Sequence, residues 1–299
     1  MAIGTANGYN NLPSGNWLPA IYSQKVQKFF RTASVVEDIT NTDYAGEIEA
    51  YGDTVNIIKE PTITVSSYTR GAQIAPQNLA DDQIQMVVDQ ANAFAFKVDD
   101  IEERQSHVNF EALATSSGAY ALKDSYDENV IAAMISGAGT TIGSDGSGTD
   151  TGFGSSETDP LEIMANASKR LHGNDVPFEN RWFLASPEFY EALASSSSKL
   201  LDASVTGDAA SPLRNGRVMD GIIQGFRCYM TNNFAASSTS NYLKVLFGHM
   251  SSTATANAIA KTEVVRDPDS FADIVRGLHV FGRKVLRSEA LMVRHLLID

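Results

Sequence analysis

Apolar residues alternate with polar ones over a long stretch in the first third of the chain. In the segment QIQMVVDQANAFAFKV the apolar side chains of one parity are Ile84, Met86, Val88, Phe94, Phe96 and Val98. Successive side chains of a strand point to opposite faces, so one parity corresponds to one face. The pattern therefore predicts a single long strand, one face of which is covered by other elements.

The residues before that strand follow a different pattern. Two short alternating runs, around Val55 and around Ile63, are separated by Pro61. Proline lacks a backbone donor and is confined to the edges or ends of sheets. Residues 44–82 are therefore predicted to form a long hairpin-like excursion with little hydrophobic core of its own.

Apolar residues at helical spacing appear in two further places in the first half. Residues 17–30 predict a short amphipathic helix. Asp99 and Asp100 can each cap a helix start, and the chain then continues to Ser136 without a proline. This predicts a very long helix, with Gly118 as its candidate break.

The second half of the chain opens with signals for a helix, a strand and another helix. Asp159 followed by Pro160 predicts the start of a helix that reaches about Leu171. The apolar run NRWFLA then predicts a short buried strand. Ser186 and Pro187 predict the start of the next helix, and the succession indicates a compact α+β or α/β unit.

The rest of the second half is predicted to consist of strands. Strands are expected at residues 225–231 and 242–247, and alternation over residues 280–298 predicts a long closing strand. Residues 137–156 are nearly all Gly, Ser, Thr and Asp, which predicts a flexible loop. The fold class indicated by this order of elements is α+β.

Composition and charge narrow the class of protein. The hydrophobic fraction of 43% and the charged fraction of 20% are typical of a folded protein rather than a disordered one. Residues 1–16, rich in Asn, Gly, Ser and Thr, are the exception and are expected to become ordered only against neighbouring molecules. A net charge of −13 disfavours sequence-independent binding of nucleic acid. Because no basic start leads into a long apolar run, neither secretion nor membrane insertion is expected.

Residue types that carry catalysis or bind metals are scattered. The five histidines show no pair at metal-ligand spacing, and phosphate-binding glycine motifs and nucleophile elbows do not occur. The single cysteine, Cys228, lies in a predicted strand, which favours a buried structural thiol over a reactive one. We therefore expect no catalytic residue, no cofactor, no metal and no enzymatic activity. The alternative, a hydrolase or transferase, would need titratable groups that converge in a cleft.

Charge is distributed unevenly along the chain. Residues 32–110 hold fourteen acidic and four basic side chains, whereas residues 261–299 hold six acidic and seven basic ones. One interpretation is that the acidic stretch is only a solvated surface. The other is that acidic residues of one subunit contact basic residues of the next. The candidates for such an interface are Glu47, Glu49, Asp53, Glu60, Asp81, Asp82, Arg276, Arg283, Lys284 and Arg287.

The predicted order of elements, with an arm, a protruding hairpin, a strand leading into a long helix, an α+β insert and a closing strand, resembles the Hong Kong 97-type capsid fold. Four segments also resemble the tailed-bacteriophage major capsid family in sequence: NAFAFKVDDIEERQ, NRWFLASPEFYEAL, GIIQGFRCYMTNN and DPDSFADIVRGLHVFGRKVLRSEALMVRHL. The resemblance covers most of the chain. It implies a structural protein that self-assembles into the hexamers and pentamers of an icosahedral phage head around double-stranded DNA.

The resemblance also implies a division into domains. Residues 1–43 would be an N-terminal arm with its short helix, and residues 44–98 an extended loop and adjoining strand that lie over a neighbouring subunit. Residues 99–160 would form the spine helix and flexible loop of a peripheral domain. Residues 161–262 would be the axial domain, and residues 263–299 the closing strand of the peripheral domain.

Partners and location follow from the same resemblance. The expected partners are other copies of the chain, a separate scaffolding protein, a portal protein at one vertex and packaged DNA without sequence-specific contact, with a decoration protein as a further candidate and no membrane. The chain is expected in the virion, after assembly in the bacterial host cytoplasm. Some relatives crosslink a loop lysine to a neighbouring asparagine, but Lys59 has no evident catalytic carboxylate, so no crosslink is expected. The alternative is another phage structural protein, a tail component or an adhesin, which would lack the long helix after Asp99.

Overall fold

The fold is seen in a computed structural model. It describes residues 34–44, 52–61, 63–71, 73, 76–77, 83–99, 110–144, 149–150, 158–194, 222–234 and 242–297. The predicted arm, the predicted helix at residues 17–30 and the predicted start of the long helix at residues 100–109 lie outside the described residues.

Helices and strands both contribute to the described part of the chain. The helices are α1 (Val36–Ile39), α2 (Phe110–Gly137), α3 (Pro160–Gly173) and α4 (Pro187–Leu193), with 3-10 turns at Met250–Ser252 and Ser288–Ala290. The strands of the first half are β1 (Thr54–Ile58), β2 (Gln83–Val87), β3 (Gln90–Asp99), β4 (Thr140–Ile142) and β5 (Thr149–Asp150). Those of the second half are β6 (Arg181–Ala185), β7 (Ile222–Ile223), β8 (Phe226–Met230), β9 (Tyr242–His249), β10 (Thr253–Arg266), β11 (Ala272–Val285) and β12 (Leu291–Leu297).

These strands form three sheets. β1 and β2 make an antiparallel hairpin, and β10, β11 and β3 make an antiparallel sheet in that order. The largest sheet has the order β4-β12-β9-β6-β8-β7, and β5 also pairs with β12. Strands β6 and β8 are parallel to each other, while β9 runs antiparallel to both β6 and β12. The mostly antiparallel strand pairs, together with the helices that pack on the sheets, confirm the predicted α+β class.

The largest sheet is covered by helices on both faces. In β6, Phe183 and Ala185 pack with α3 and α4, whereas Trp182 and Leu184 pack with α2. All five residues of β6 are buried, because a strand covered on both faces needs no polar alternation. The helix α3 starts as predicted, with the Asp159 side chain accepting a hydrogen bond from the Leu161 amide at 2.8 Å. The predicted strands and helices between residues 159 and 249 are therefore confirmed.

The predicted long strand at residues 84–98 is wrong, because the chain divides there between two sheets. The Val88 amide donates to the Asp53 carbonyl at 3.1 Å, and the Gly52 amide donates to the Val88 carbonyl at 3.0 Å. Val88 thus closes the hairpin of β1 and β2, and β3 starts two residues later against β11. The apolar residues have the same parity on both sides of the junction, and the pattern is interrupted there by Asp89, Gln90 and Asn92.

The predicted closing strand at residues 280–298 is also two strands. The Leu286 and Arg287 amides both donate to the Ser252 carbonyl, at 2.8 and 3.1 Å, and this turns the chain out of the three-stranded sheet. β12 then enters the largest sheet beside β9. The predicted domain boundary at residue 262 therefore lies within β10 and assigns the paired strands β9 and β12 to different units.

Two further predictions concern the middle and the C-terminal end of the long helix. α2 runs without a break through Gly118, where an added Cβ would lie 2.7 Å from the Phe94 ring, so this glycine allows close contact with β3. The helix ends at Gly137, one residue beyond the predicted Ser136.

The predicted flexible loop at residues 137–156 is partly described. It includes β4, which pairs in parallel with β12. That part of the loop is a sheet edge.

The contact between α2 and the largest sheet can be tested by truncation. Ile131 is fully buried between this sheet and the N-terminal segment. Ile131→Ala should lower the free energy of unfolding of the free subunit by about 2–5 kcal/mol, since it leaves a cavity in a packed layer. Chemical denaturation followed by circular dichroism measures the change. The control Glu128→Ala, at an exposed position of the same helix, should change it by less than about 0.5 kcal/mol.

Candidate functional site

Among the described residues, the hairpin of β1 and β2 is anchored to the body of the protein by the packing at its base. Val55 and Ile57 face a small core that contains Met86, Val88 and Val280. Val55 pairs with Met86, so both strands direct apolar side chains to the same covered face. This packing fixes the direction in which the hairpin leaves the body.

Beyond the base, the hairpin is solvent-exposed. Every described residue from Ile58 to Gln77 is exposed. Four of them are large and apolar, with exposed fractions of 80% at Ile58, 68% at Ile63, 94% at Val65 and 64% at Tyr68. Such a series of exposed apolar side chains marks an interaction surface, because a monomeric protein gains nothing from leaving them in water.

The outer part of the hairpin is held together by a side chain. The Gln77 amide group donates to the Thr64 carbonyl at 2.8 Å and accepts from the Thr64 amide at 3.1 Å. It thus replaces the pair of hydrogen bonds that a neighbouring strand would make. The two arms stay close together although no strand is formed there among the described residues.

The segment next to the predicted N-terminal arm is anchored on α2. The Ser34 hydroxyl donates to the Asp127 carboxylate at 2.9 Å, and the Val35 amide donates to the same carboxylate. Val36 and Ile39 are fully buried beneath this polar contact. Burial raises the pKa of the Asp127 carboxyl above its ordinary value, although both hydrogen bonds act against that shift.

This anchor continues onto the edge of β10. The Thr40 and Thr255 hydroxyls lie 2.9 Å apart, and the Asn41 backbone exchanges hydrogen bonds of 2.9 Å with Thr253 and Thr255. Lys123 forms an exposed ion pair with Glu37 at 3.2 Å. Sequence reasoning missed the role of Asp127, although a carboxylate on the apolar side of a helix is the signal that could have revealed it.

The far end of the three-stranded sheet carries a second exposed apolar surface. Val264, Val265 and Phe271 have exposed fractions of 55%, 40% and 80%. The turn between β10 and β11 is fixed by an ion pair between Lys97 and Asp267, and this hydrogen-bonded ammonium lowers the pKa of Asp267 to about 2. Phe271 is therefore held outward by a structured turn.

The basic interface candidates lie on β11 and just after it. Arg276 is engaged within its own chain, because its Nε and Nη2 atoms donate to one Glu263 oxygen at 3.1 and 2.8 Å. Arg283 is 3.9 Å from the Asp89 carboxylate. Lys284 and Arg287 are exposed.

The acidic candidates are only partly described. Asp53 is half-buried at the base of the hairpin, and Glu60 is exposed beyond β1. The remaining candidates lie outside the described residues: Glu47, Glu49, Asp81 and Asp82. The structure thus places Asp53 and Glu60 on the hairpin and the four basic candidates along one strand and its end.

The described residues include a cysteine and two histidines whose pKa values are shifted. No cluster of three or more His, Cys, Asp or Glu side chains that could hold a metal ion is found there. Burial raises the pKa of the Cys228 thiol to about 11, which fits the predicted structural thiol. His249 and His279 both have pKa values lowered by burial and are held by Ser251 and Asn257, respectively. Among the described residues, no helix is long and apolar enough to span a membrane.

The architecture has close counterparts among solved structures. No protein-family model matches the sequence, and no curated protein matches it. A chain from Mycobacterium phage Che8 has 30% sequence identity and a TM-score of 0.77, with 93% of this chain and 97% of that chain covered. The chain belongs to the Hong Kong 97-type family of phage major capsid proteins.

Two further structures show the same fold at lower identity. The capsid structure of cyanophage P-SCSP1u matches at 16% identity and a TM-score of 0.76, with 97% of this chain and 96% of that chain covered. The mature capsid of bacteriophage PhiM1 matches at 14% identity and a TM-score of 0.70, with 99% of both chains covered. The protein is thus a major capsid protein of an icosahedral tailed-phage head, a virion component with a structural and not an enzymatic role. As a capsid protein it associates with copies of itself.

The anchor of the N-terminal segment gives a prediction about pH. The raised pKa of Asp127 means that the folded capsid protein binds this proton more tightly than the unfolded chain does. The contribution of this carboxyl to stability therefore falls as pH rises from the ordinary aspartate value through the raised one. Asp127→Asn, which keeps an acceptor for Ser34, should be at least as stable as the wild type at pH 7 and lose that advantage at acidic pH.

The control for this experiment is Asp127→Ala. It removes the acceptor for both Ser34 and the Val35 amide, and should lower the free energy of unfolding at every pH by about 1–3 kcal/mol. Thermal or chemical unfolding of the free subunit between acidic and neutral pH measures both variants. An Asp127→Asn variant that loses as much stability as Asp127→Ala at pH 7 would contradict the assignment.

Proposed function

We propose that this capsid protein forms the hexamers and pentamers of a head that encloses double-stranded DNA, with residues 44–98 lying over a neighbouring subunit. The supporting observation is the exposure of every described residue from Ile58 to Gln77, including four large apolar side chains. Burying one such side chain contributes roughly 1.5–3 kcal/mol. A neighbouring copy that covers this surface would therefore stabilise the hairpin and the assembly together.

The proposed domain division assigns distinct tasks to the parts of the chain. Residues 1–43 act as the arm, residues 99–160 and 263–299 as the peripheral domain, and residues 161–262 as the axial domain around the centres of hexamers and pentamers. The strand β12 departs from this division, because it pairs with β9 of the axial domain. In our proposal the axial domain thus includes the C-terminal strand.

The remaining partners belong to the same proposal. Assembly proceeds on a separate scaffolding protein in the bacterial host cytoplasm, and a portal protein occupies one vertex. DNA is packaged without specific phosphate contacts, consistent with the net charge of −13, and a decoration protein is a further candidate. The chain forms no covalent crosslink through Lys59. The acidic and basic interface candidates contact each other between subunits. Such charge pairs set the relative orientation of two subunits more than the strength of their association.

Electron microscopy of the purified full-length protein tests the proposal directly. Rings, procapsids or closed shells are expected when the chain is produced with its candidate scaffolding protein. A protein that remains monomeric in the presence of the scaffolding protein would overturn the proposal. Many modest contacts acting together make a shell stable, so assembly should rise steeply with protein concentration.

The exposed apolar surface of the hairpin yields a sharper test. Val65→Asp should leave the free energy of unfolding of the free subunit within about 0.5 kcal/mol of the wild-type value, because Val65 is 94% exposed. It should lower the assembled fraction by about tenfold, since a charge would be buried against the neighbour. Sedimentation velocity measures the assembled fraction.

The matched control is Ser66→Asp. It adds the same charge at the adjacent exposed position, which points to the opposite side of an extended chain. The control should assemble nearly as the wild type does. Equal loss in both variants would indicate a general effect of charge, and no loss in either would show that the hairpin is not covered at Val65.

A further inference from the structure

A cleft of about 520 Å³ lies where the hairpin base, the end of α2 and the end of β11 meet. β3 pairs with β11 only as far as the pair of Gln90 and Phe281, so β11 continues beyond the strand that covers its edge. The cleft opens beside these last residues of β11. Its lining includes Lys59, Asp89, Gly137, Arg283, Lys284 and Val285.

The walls of the cleft are set by tight packing. An added Cβ at Gly137 would lie 2.6 Å from a Val285 methyl group, so only a glycine lets the helix end approach β11 this closely. The opposite wall is the hairpin base, fixed by the hydrogen bonds between Val88 and residues 52–53. A cleft between two fixed walls is a preformed site.

The cleft is cationic. Three cations, Lys59, Arg283 and Lys284, and one carboxylate, Asp89, are the charged groups among its described lining residues. The nearest atoms of Arg283 and Asp89 are 3.9 Å apart, too far for a hydrogen bond, and the Asp89 side chain is 60% exposed. Asp89 therefore compensates the charge of Arg283 only weakly.

Arg283 also has a donor without an acceptor. Its Nε atom is buried and has no hydrogen-bond partner among the described residues. A buried donor without an acceptor is destabilising, so this guanidinium is not fully satisfied within its own chain. A guanidinium presents its donors in a planar fork that fits a carboxylate. Arg276, by contrast, already directs its fork at Glu263 of its own chain.

We infer that this cleft receives a carboxylate side chain of a second copy of the chain, with Arg283 as the principal contact and Lys284 as the rim. The inference rests on the proposed function and refines it, because it singles out one position among the basic candidates. The occupant is argued from charge complementarity. Residues 32–110 of each copy carry fourteen acidic against four basic side chains, so a neighbour offers many carboxylates and few competing cations.

The test is charge reversal in the full-length protein, read as self-association by sedimentation velocity. Arg283→Glu should lower the assembled fraction by about tenfold or more, and Lys284→Glu by less. Arg227→Glu, at an exposed position in the largest sheet, is the control and should behave as the wild type. Circular dichroism verifies folding, and exposed Lys284 provides the decisive variant if Arg283→Glu does not fold.

Restoration by a second reversal identifies the partner group. Arg283→Glu is combined in turn with a lysine at each of the fourteen acidic positions between residues 32 and 110. One combination should restore the assembled fraction to within about twofold of the wild type. If none does, or if the single reversal assembles normally, the inference is overturned while the proposed function stands.

Two other outcomes are distinguishable. A wild type that never associates overturns the proposed function and, with it, this inference. Retention of a short duplex DNA by the wild type that is lost in Arg283→Glu, with self-association unchanged, would assign the cleft to phosphate and overturn the inference alone.

Discussion

The helix α2 is the constraint on which the other parts of this capsid protein depend. Its buried side chains Tyr126, Val130, Ile131 and Met134 cover one face of the largest sheet. Its earlier turns lie against β3 and β11, and Tyr126 packs edge-on against Phe281 at 4.9 Å. Asp127 on the same helix holds the N-terminal segment. One continuous helix therefore fixes the relative positions of two sheets and of the segment that precedes the hairpin.

That rigid frame contrasts with the hairpin that it supports. Ordering one residue of an extended chain costs about 1–2 kcal/mol of conformational entropy, and the exposed part of the hairpin makes few contacts that offset it. The base is nevertheless directed by Val55 and Met86, so the direction in which the exposed part leaves the body is fixed. A frame that aims a weakly supported extension suits a subunit whose final contacts come from its neighbours.

Much of this architecture could be predicted from the sequence, and the errors have physical causes. The helix start at Asp159, the buried strand at Trp182 and the end of the long helix are local signals, set by capping and by apolar runs. The junctions at Val88 and Leu286 are missed because the short polar interruptions that follow them, at residues 89–90 and 287–289, also occur within single amphipathic strands. Partner exchange is decided by hydrogen bonds to residues distant in sequence, which a local pattern does not contain.

The same reasoning applies to the charged residues. Sequence counts treat Arg276 and Arg283 as equivalent members of a basic segment, whereas the fold gives Arg276 a close acidic partner in Glu263 and leaves Arg283 at the edge of a cleft. At the far end of the sheet the charges are matched within the chain, so the exposed Phe271 and Val264 dominate that surface. At the hairpin base the cations outnumber the carboxylates. In the proposed assembly, contacts at the two ends of β11 would therefore rest on different physics: burial at one end and charge at the other, of which only the second would be weakened by salt.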